Sequence, residues 1–124
     1  MRRDWSLVLE KRRRAAASAC PVCGGGFGCL QAAHIIGRAR DRDGVVQPDE
    51  VIFLCEPCHL AYDAHRLDIW GVLSPQERQA AVRAAGSPGG ALRRLSAPLW
   101  RQGDRAAVRL LDERLKELIE DDGI

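Results

Sequence analysis

A chain of 124 residues with 46% apolar but only 5% aromatic residues has one domain's length and a small core built mainly from Leu, Val, Ile and Ala. It contains no apolar run of the roughly 18 residues a membrane span needs, and the apolar stretch 5–9 is too short for a secretory signal. The expected compartment is therefore the cytoplasm, and the net charge of +2 conceals an uneven distribution.

The basic end comes first. Residues 1–14 carry six cations (Arg2, Arg3, Lys11, Arg12, Arg13 and Arg14) against Asp4 and Glu10. Strong helix formers without a breaker predict a helix over 5–17, so that 1–19 forms a basic N-terminal helix. Arg12, Arg13 and Arg14 are the expected nucleic-acid contacts; the plainer reading is a solvated helix face. Residues 30–70 reverse the sign, with four arginines against seven acids. A basic arm beside an acidic centre suits phosphates gripped outside and a divalent cation held inside.

Next come two pairs of equal spacing, Cys20-Pro21-Val22-Cys23 and Cys55-Glu56-Pro57-Cys58. In a reducing compartment such pairs read as metal ligands, and two of them complete the tetrahedral thiolate shell of a structural Zn2+. Cys29 is left over and is expected to be a small buried hydrophobe. Pro21 and the run Gly24-Gly25-Gly26 end the first helix. A strand over 29–36, a loop over 37–49, a short buried strand over 51–54 and a helix from Pro57 through Ala64 follow.

The last zone is helical. Ser74-Pro75-Gln76-Glu77 is a capping signal for a helix to about Ala85, which the run 86–90 should break. A helix over 104–120 aligns Val108, Leu111, Leu115 and Leu118 on one stripe, which suits core packing or a homodimer through the C-terminal helix. Trp70 and Trp100 read as packing anchors.

The central order of motifs, Cys20-x-x-Cys23, then Ala33-His34-Ile35-Ile36-Gly37-Arg38, then Val51-Ile52-Phe53-Leu54-Cys55-x-x-Cys58-His59 with Tyr62-Asp63, resembles the zinc-containing HNH endonucleases of the His-Me finger, or ββα-metal, class. The resemblance covers residues 20–69. It implies an α+β fold, a small ββα-metal core stapled by the four-cysteine zinc site and flanked by N- and C-terminal helices. The whole chain, 1–124, is then a single domain, with 70–124 a helical extension. The resemblance also assigns His34 as general base and His59 as a ligand of the catalytic cation, Mg2+ or Mn2+.

The chemistry agrees with these roles. Phosphodiester hydrolysis needs a proton taken from water, which suits an imidazole, and charge neutralised on the phosphate, which suits a hard cation. Helix geometry adds Asp63 to His59, because four residues advance about 40° around the axis, whereas His65 points about 120° away and is the lesser choice. The sequence departs from the family pattern at Ala33, where an acid or histidine often binds the metal, and at Glu50, which with Asp49 falls where the middle Asn is expected. Glu50 is counted with His34 and His59 in the catalytic set, as an acid that accepts a hydrogen bond and braces the His34 loop. Arg38 is expected either at a phosphate or as a plain loop charge, and Asp41 and Asp43 either replace the missing acid at 33 or stand as solvated loop charges. Plainer readings make His34 a satisfied strand histidine and His59 a helix cap or an alternative zinc ligand. The expected function is a metal-dependent DNA endonuclease. The alternatives are a catalytically silent zinc module that binds nucleic acid and, third, a zinc-stabilised protein adaptor.

Overall fold

The computed structural model describes residues 4–37 and 45–120; Arg38, Asp41 and Asp43 lie outside them. The centre is an antiparallel ribbon of two strands, β1 (Gln31–His34) and β2 (Val51–Leu54). Gln31 stands opposite Leu54, Ala32 opposite Phe53, Ala33 opposite Ile52 and His34 opposite Val51. β1 is shorter than the expected 29–36 because the Cys29 amide turns back to the Gly26 carbonyl (2.8 Å) and β2 offers four partners only.

All four β2 side chains are buried, so both faces of the ribbon are covered. Alternation sends Ala33, Ile52 and Leu54 into the main core, with Tyr62, Ile69, Leu92, Leu95, Leu111 and Leu118. Val51 and Phe53 form a second core with Val8 and Val46, to which Trp5, Ala15 and Ala32 add their partly buried surfaces.

The N-terminal helix begins as a 3-10 turn, Ser6–Val8, and becomes α1 at Leu9–Ala16. The tighter start follows from Asp4, whose carboxylate accepts the Ser6 amide (2.9 Å) and fixes the entry turn. Lys11 is not part of an outward basic face. Its ammonium donates to the Pro48 carbonyl (2.6 Å), the Val51 carbonyl (2.6 Å) and Glu77 Oε2 (2.5 Å), tying α1 to the entry of β2 and to α3 (Pro75–Ala85).

Helix α2 (Glu56–Asp63) leaves β2 at once, with Pro57 in its first turn where a missing N–H costs nothing. Its Tyr62 is fully buried and donates to the Ile35 carbonyl, locking α2 to the end of β1. Burial raises the Tyr62 pKa, so the group stays a neutral donor.

The C-terminal zone holds more helix than the sequence suggests. Ser74 and Glu77 form the expected reciprocal capping box of α3 (3.1 and 2.8 Å), and Gly86, at φ 91°, ends that helix. The run expected only to break it instead starts α4 (Pro88–Leu95): Ser87 Oγ accepts the Gly90 amide (3.0 Å), and Pro88 fills a first-turn position. Helix α5 (Ala97–Gln102) and α6 (Arg105–Glu120) follow.

The inward face of α6 is Ala107, Leu111 and Leu118, with Leu115 partly buried; Val108, expected on that stripe, is 49% exposed. Trp70 is a buried anchor as expected, but Trp100 is not, being 43% exposed. Cys29, expected to be buried, is exposed, because it belongs to the turn that closes the first cysteine loop.

Lys11→Met should destabilise the fold by about 2–3 kcal/mol, since three charge-assisted bonds go and two carbonyls lose a partner. Arg13→Ala, on the exposed side of the same helix, should stay within about 0.5 kcal/mol. Urea unfolding of the two variants checks the contrast.

Candidate metal centre and active site

The sulfurs of Cys20, Cys23, Cys55 and Cys58 all lie within 4.8 Å of one another, and Cys23 Sγ is 3.5 Å from Cys55 Sγ. Zn–S bonds of about 2.3 Å in a tetrahedron require sulfurs about 3.8 Å apart, so the four thiols fit one zinc ion. The first pair sits in a tight loop in which the Cys20 amide donates to the Gly25 carbonyl and the Gly24 amide to the Cys20 carbonyl, each at 2.8 Å. The second pair straddles the N-terminus of α2, with Cys55 as N-cap and Cys58 in the first turn. Free amides there favour thiolates.

Titration of the four thiols is graded. Burial opposes ionisation of Cys20, but the backbone N–H groups of Cys55, Cys23 and Val22 outweigh it and bring the thiol down to about 6. The Cys58 amide favours the Cys55 thiolate, yet burial and the neighbouring sulfurs hold that thiol above its usual value. Burial and the same sulfurs push Cys58 up. This is the pattern of thiols crowded at one point, and a divalent cation among them reverses it.

Gly26 makes the close approach possible. It adopts φ 65°, and a Cβ there would lie 2.6 Å from Cys55 Cβ. The sequence reads the glycine run as a helix terminator; only the fold reveals that one glycine of it admits the second knuckle.

On α2, next to the thiol cluster, His59 and Asp63 share a face as helix spacing requires, with Nε2 3.4 Å from Asp63 Oδ2. His59 Nδ1 lies 2.9 Å from Gln31 Oε1 of β1; a proton on Nδ1 donates there and leaves Nε2, on the Asp63 side, for a cation. Nothing in the sequence singles out Gln31; the antiparallel register and the docking of α2 bring it there. His65 lies beyond the end of α2 at φ 61°, its Nδ1 3.5 Å from Arg94 Nη1, away from the His59 pair. Arg94 also reaches Asp63 Oδ1 (3.8 Å).

His34 is the last residue of β1, and alternation puts it with Ala32, opposite Val51, on the ribbon face away from Ala33. Trp5 meets its ring edge-on, with centroids 5.3 Å apart. Gln31, which meets His59, begins β1 on the face it shares with Ala33, whereas His34 ends the strand on the other face. Ala33 is completely buried. The Glu50 carbonyl accepts the Ile35 amide (2.9 Å), which braces the chain directly after His34. Asp49 faces Arg83 (3.4 Å).

Of the basic arm, Arg12, Arg13 and Arg14 are exposed. Arg13 and Arg14 pair with Glu10, and Arg12 lies over the Phe53 ring at 5.8 Å.

Residues 20–69 match the family model of the HNH endonucleases. No curated protein and no solved structure matches the chain. Among the described residues, no helix is long and apolar enough to cross a membrane.

Zinc uptake by the metal-free protein at pH 7 should release protons held by Cys55 and Cys58, which an indicator in weakly buffered solution measures. The ionised form of Cys20 contributes stability that is present above its unfolded pKa and lost as pH falls through its folded value of about 6. In the metal-free protein, acidification through that value should therefore lower the thermal midpoint. Gly26→Ala should weaken zinc binding beyond the about 1–2 kcal/mol of backbone strain, whereas Gly24→Ala, at φ 77° but with nothing near its Cβ position, should cost the strain alone.

Proposed function

We propose, on the premise that residues 20–69 carry an HNH endonuclease domain, that this protein is a metal-dependent endonuclease hydrolysing phosphodiester bonds of DNA. The observation that carries the reading is the His59–Asp63 pair on one face of α2, its imidazole held by Gln31 in the tautomer a metal ligand needs. The two side chains suit a hard divalent cation, Mg2+ or Mn2+, that keeps several waters. Such a cation stabilises charge on the phosphate and the leaving oxygen when bound.

The chain's own residues do the rest. His34, at the end of β1, accepts the proton of the attacking water, and Trp5 holds its ring edge-on. Glu50 acts as a positioning residue, because its carbonyl anchors the turn that follows His34. His59 presents Nε2 and Asp63 a carboxylate oxygen. Ala33 supplies no ligand, so water takes that place. Arg12, Arg13 and Arg14 grip backbone phosphates on the exposed side of α1, with Arg38 a further phosphate contact. Zn2+ stays structural, and the unit works as one domain in the cytoplasm, either alone or as a homodimer through α6.

A second reading, a silent zinc module that binds nucleic acid without cutting it, draws on two observations. Ala33 offers no ligand, and Arg94 stands 3.8 Å from Asp63, where it competes with a cation for the carboxylate.

Plasmid nicking against metal concentration separates the two. His34→Ala should lose about 10^2- to 10^4-fold in rate at every metal concentration while folding and holding zinc. His59→Ala and Asp63→Ala should demand more Mg2+ or Mn2+ and keep their zinc. Native-rate nicking by His34→Ala removes it as the base, and a wild-type protein that binds DNA without nicking establishes the silent module.

Replacing Arg12, Arg13 and Arg14 together should flatten the slope of log affinity against log salt by about three units across unrelated DNA sequences. An unchanged slope returns the arm to a solvated face.

A further inference from the structure

Behind the C-terminal end of α2 lies a hollow of about 490 Å³ that the proposed chemistry does not use. It is lined by His65 and by Arg93, Arg94, Ala97, Trp100 and Arg101 of α4 and α5, with no carboxylate among the described residues that line it. Its size falls in the range of pockets that take small organic groups. We propose that this hollow binds one unstacked nucleotide of a DNA strand, with the base against Trp100 and the phosphate on Arg93 and Arg101; the proposal rests on the nuclease reading above.

Three observations point to that occupant. The first is Trp100, a large indole left 43% exposed whereas Trp70 is buried in the core. Arg93 lies over its ring at 5.1 Å, so a flat aromatic group entering here meets an indole and a guanidinium together. Every base has a π-face suited to such a surface, whatever its sequence.

The second is charge. Three guanidinium groups face the hollow, but they are not equivalent. Arg94 is committed: it donates to the Tyr62 carbonyl (2.8 Å), stacks over the Tyr62 ring at 3.7 Å and reaches Asp63. Arg101 makes only a long bond to the Ala64 carbonyl (3.4 Å), and Arg93 meets the Trp100 ring, which leaves both able to take an anion. A purely apolar ligand would leave these cations without a counter-charge, and a bare phosphate would leave the indole unused. A nucleotide satisfies both.

The third is position. The Arg66 amide bonds back to the Ala61 carbonyl (2.8 Å), closing α2 in a turn that holds His65 at φ 61° and directs it into the hollow. Through Arg94 the hollow is joined to Asp63, one half of the proposed cation pair. A strand cut at His59 and Asp63 thus passes the hollow within a short reach. Only an unpaired nucleotide can insert its base there, so the protein favours single-stranded, gapped or flapped DNA over an intact duplex.

Fluorescence anisotropy of a short labelled oligothymidine against the zinc-loaded full-length protein, without Mg2+ or Mn2+, reads binding independently of cleavage. Trp100→Ala should weaken single-strand binding roughly 5- to 150-fold and leave duplex binding nearly unchanged, and Trp100→Phe should restore most of the loss. Arg93→Ser with Arg101→Ser should flatten the single-strand salt slope by about 1.4. Should Trp100→Ala lose zinc or unfold, Arg101→Glu on the exposed rim replaces it and should also lower the preference for single strands.

Equal loss of single-strand and duplex binding, or none in a folded Trp100 variant, overturns the proposal. So does displacement of a bound acidic peptide, but not of oligothymidine, by these substitutions. A protein that nicks plasmid through His34 but shows no Trp100 dependence refutes the pocket alone, whereas single-strand binding through Trp100 without nicking refutes the nuclease reading alone.

Discussion

Four sulfurs brought within 4.8 Å of one another are the constraint on which the rest of the structure depends. One pair belongs to the loop that enters β1, and the other to the junction where β2 becomes α2. Isolated two-stranded ribbons are marginal in water, and this one has only four residues per strand. A zinc ion bound at all four sulfurs supplies on the order of 10 kcal/mol, comparable to the whole stability of a small domain. A metal held there would fix where β1 lies relative to α2, and with them His34, Gln31 and His59. Gly26 belongs to the same constraint, since any larger residue would hold the two loops apart.

Around that staple the chain closes from both ends. From the N-terminal side, Val8 and Trp5 cover one ribbon face while Lys11 satisfies carbonyls at the entry of β2. From the C-terminal side, α4 and α6 bury Leu92, Leu95, Leu111 and Leu118 against the other face. Arg114 bonds Asp68 (2.6 Å) and the fully buried Ser96 (2.7 Å), joining α6 to the segment after α2. Tyr62 is the link between core and site, because one side chain packs the interior, donates to the carbonyl following His34 and carries Arg94 over its ring.

What could be read from the sequence was what depends on local spacing. Two C-x-x-C pairs, the i, i+4 relation of His59 and Asp63, the capping box at Ser74 and the buried strand 51–54 all rest on residues close together in the chain, and all are in the structure. What depends on packing between distant segments was not legible. Lys11 counted with the basic arm because its partners lie at 48, 51 and 77. Gly86 to Gly90 read as a breaker because the weight of three glycines hid the Ser87 cap, and α4 gains its stability from Ala91, Leu92 and Leu95 in the core. Val108 fell on the wrong side because periodicity gives a helix its face but not its rotation against neighbours, and Trp100 because size alone does not place a side chain in the core. Gln31 has no sequence signal at all.

If one metal staple positions the whole site, removing the metal must loosen that site before the helices that do not touch it. Amide hydrogen exchange with and without a zinc chelator measures this most directly. The account predicts that chelation sharply raises exchange at β1, β2 and the first turn of α2, with α6 following only through the loss of its core contacts. Unchanged protection of the ribbon in zinc-free protein would contradict it.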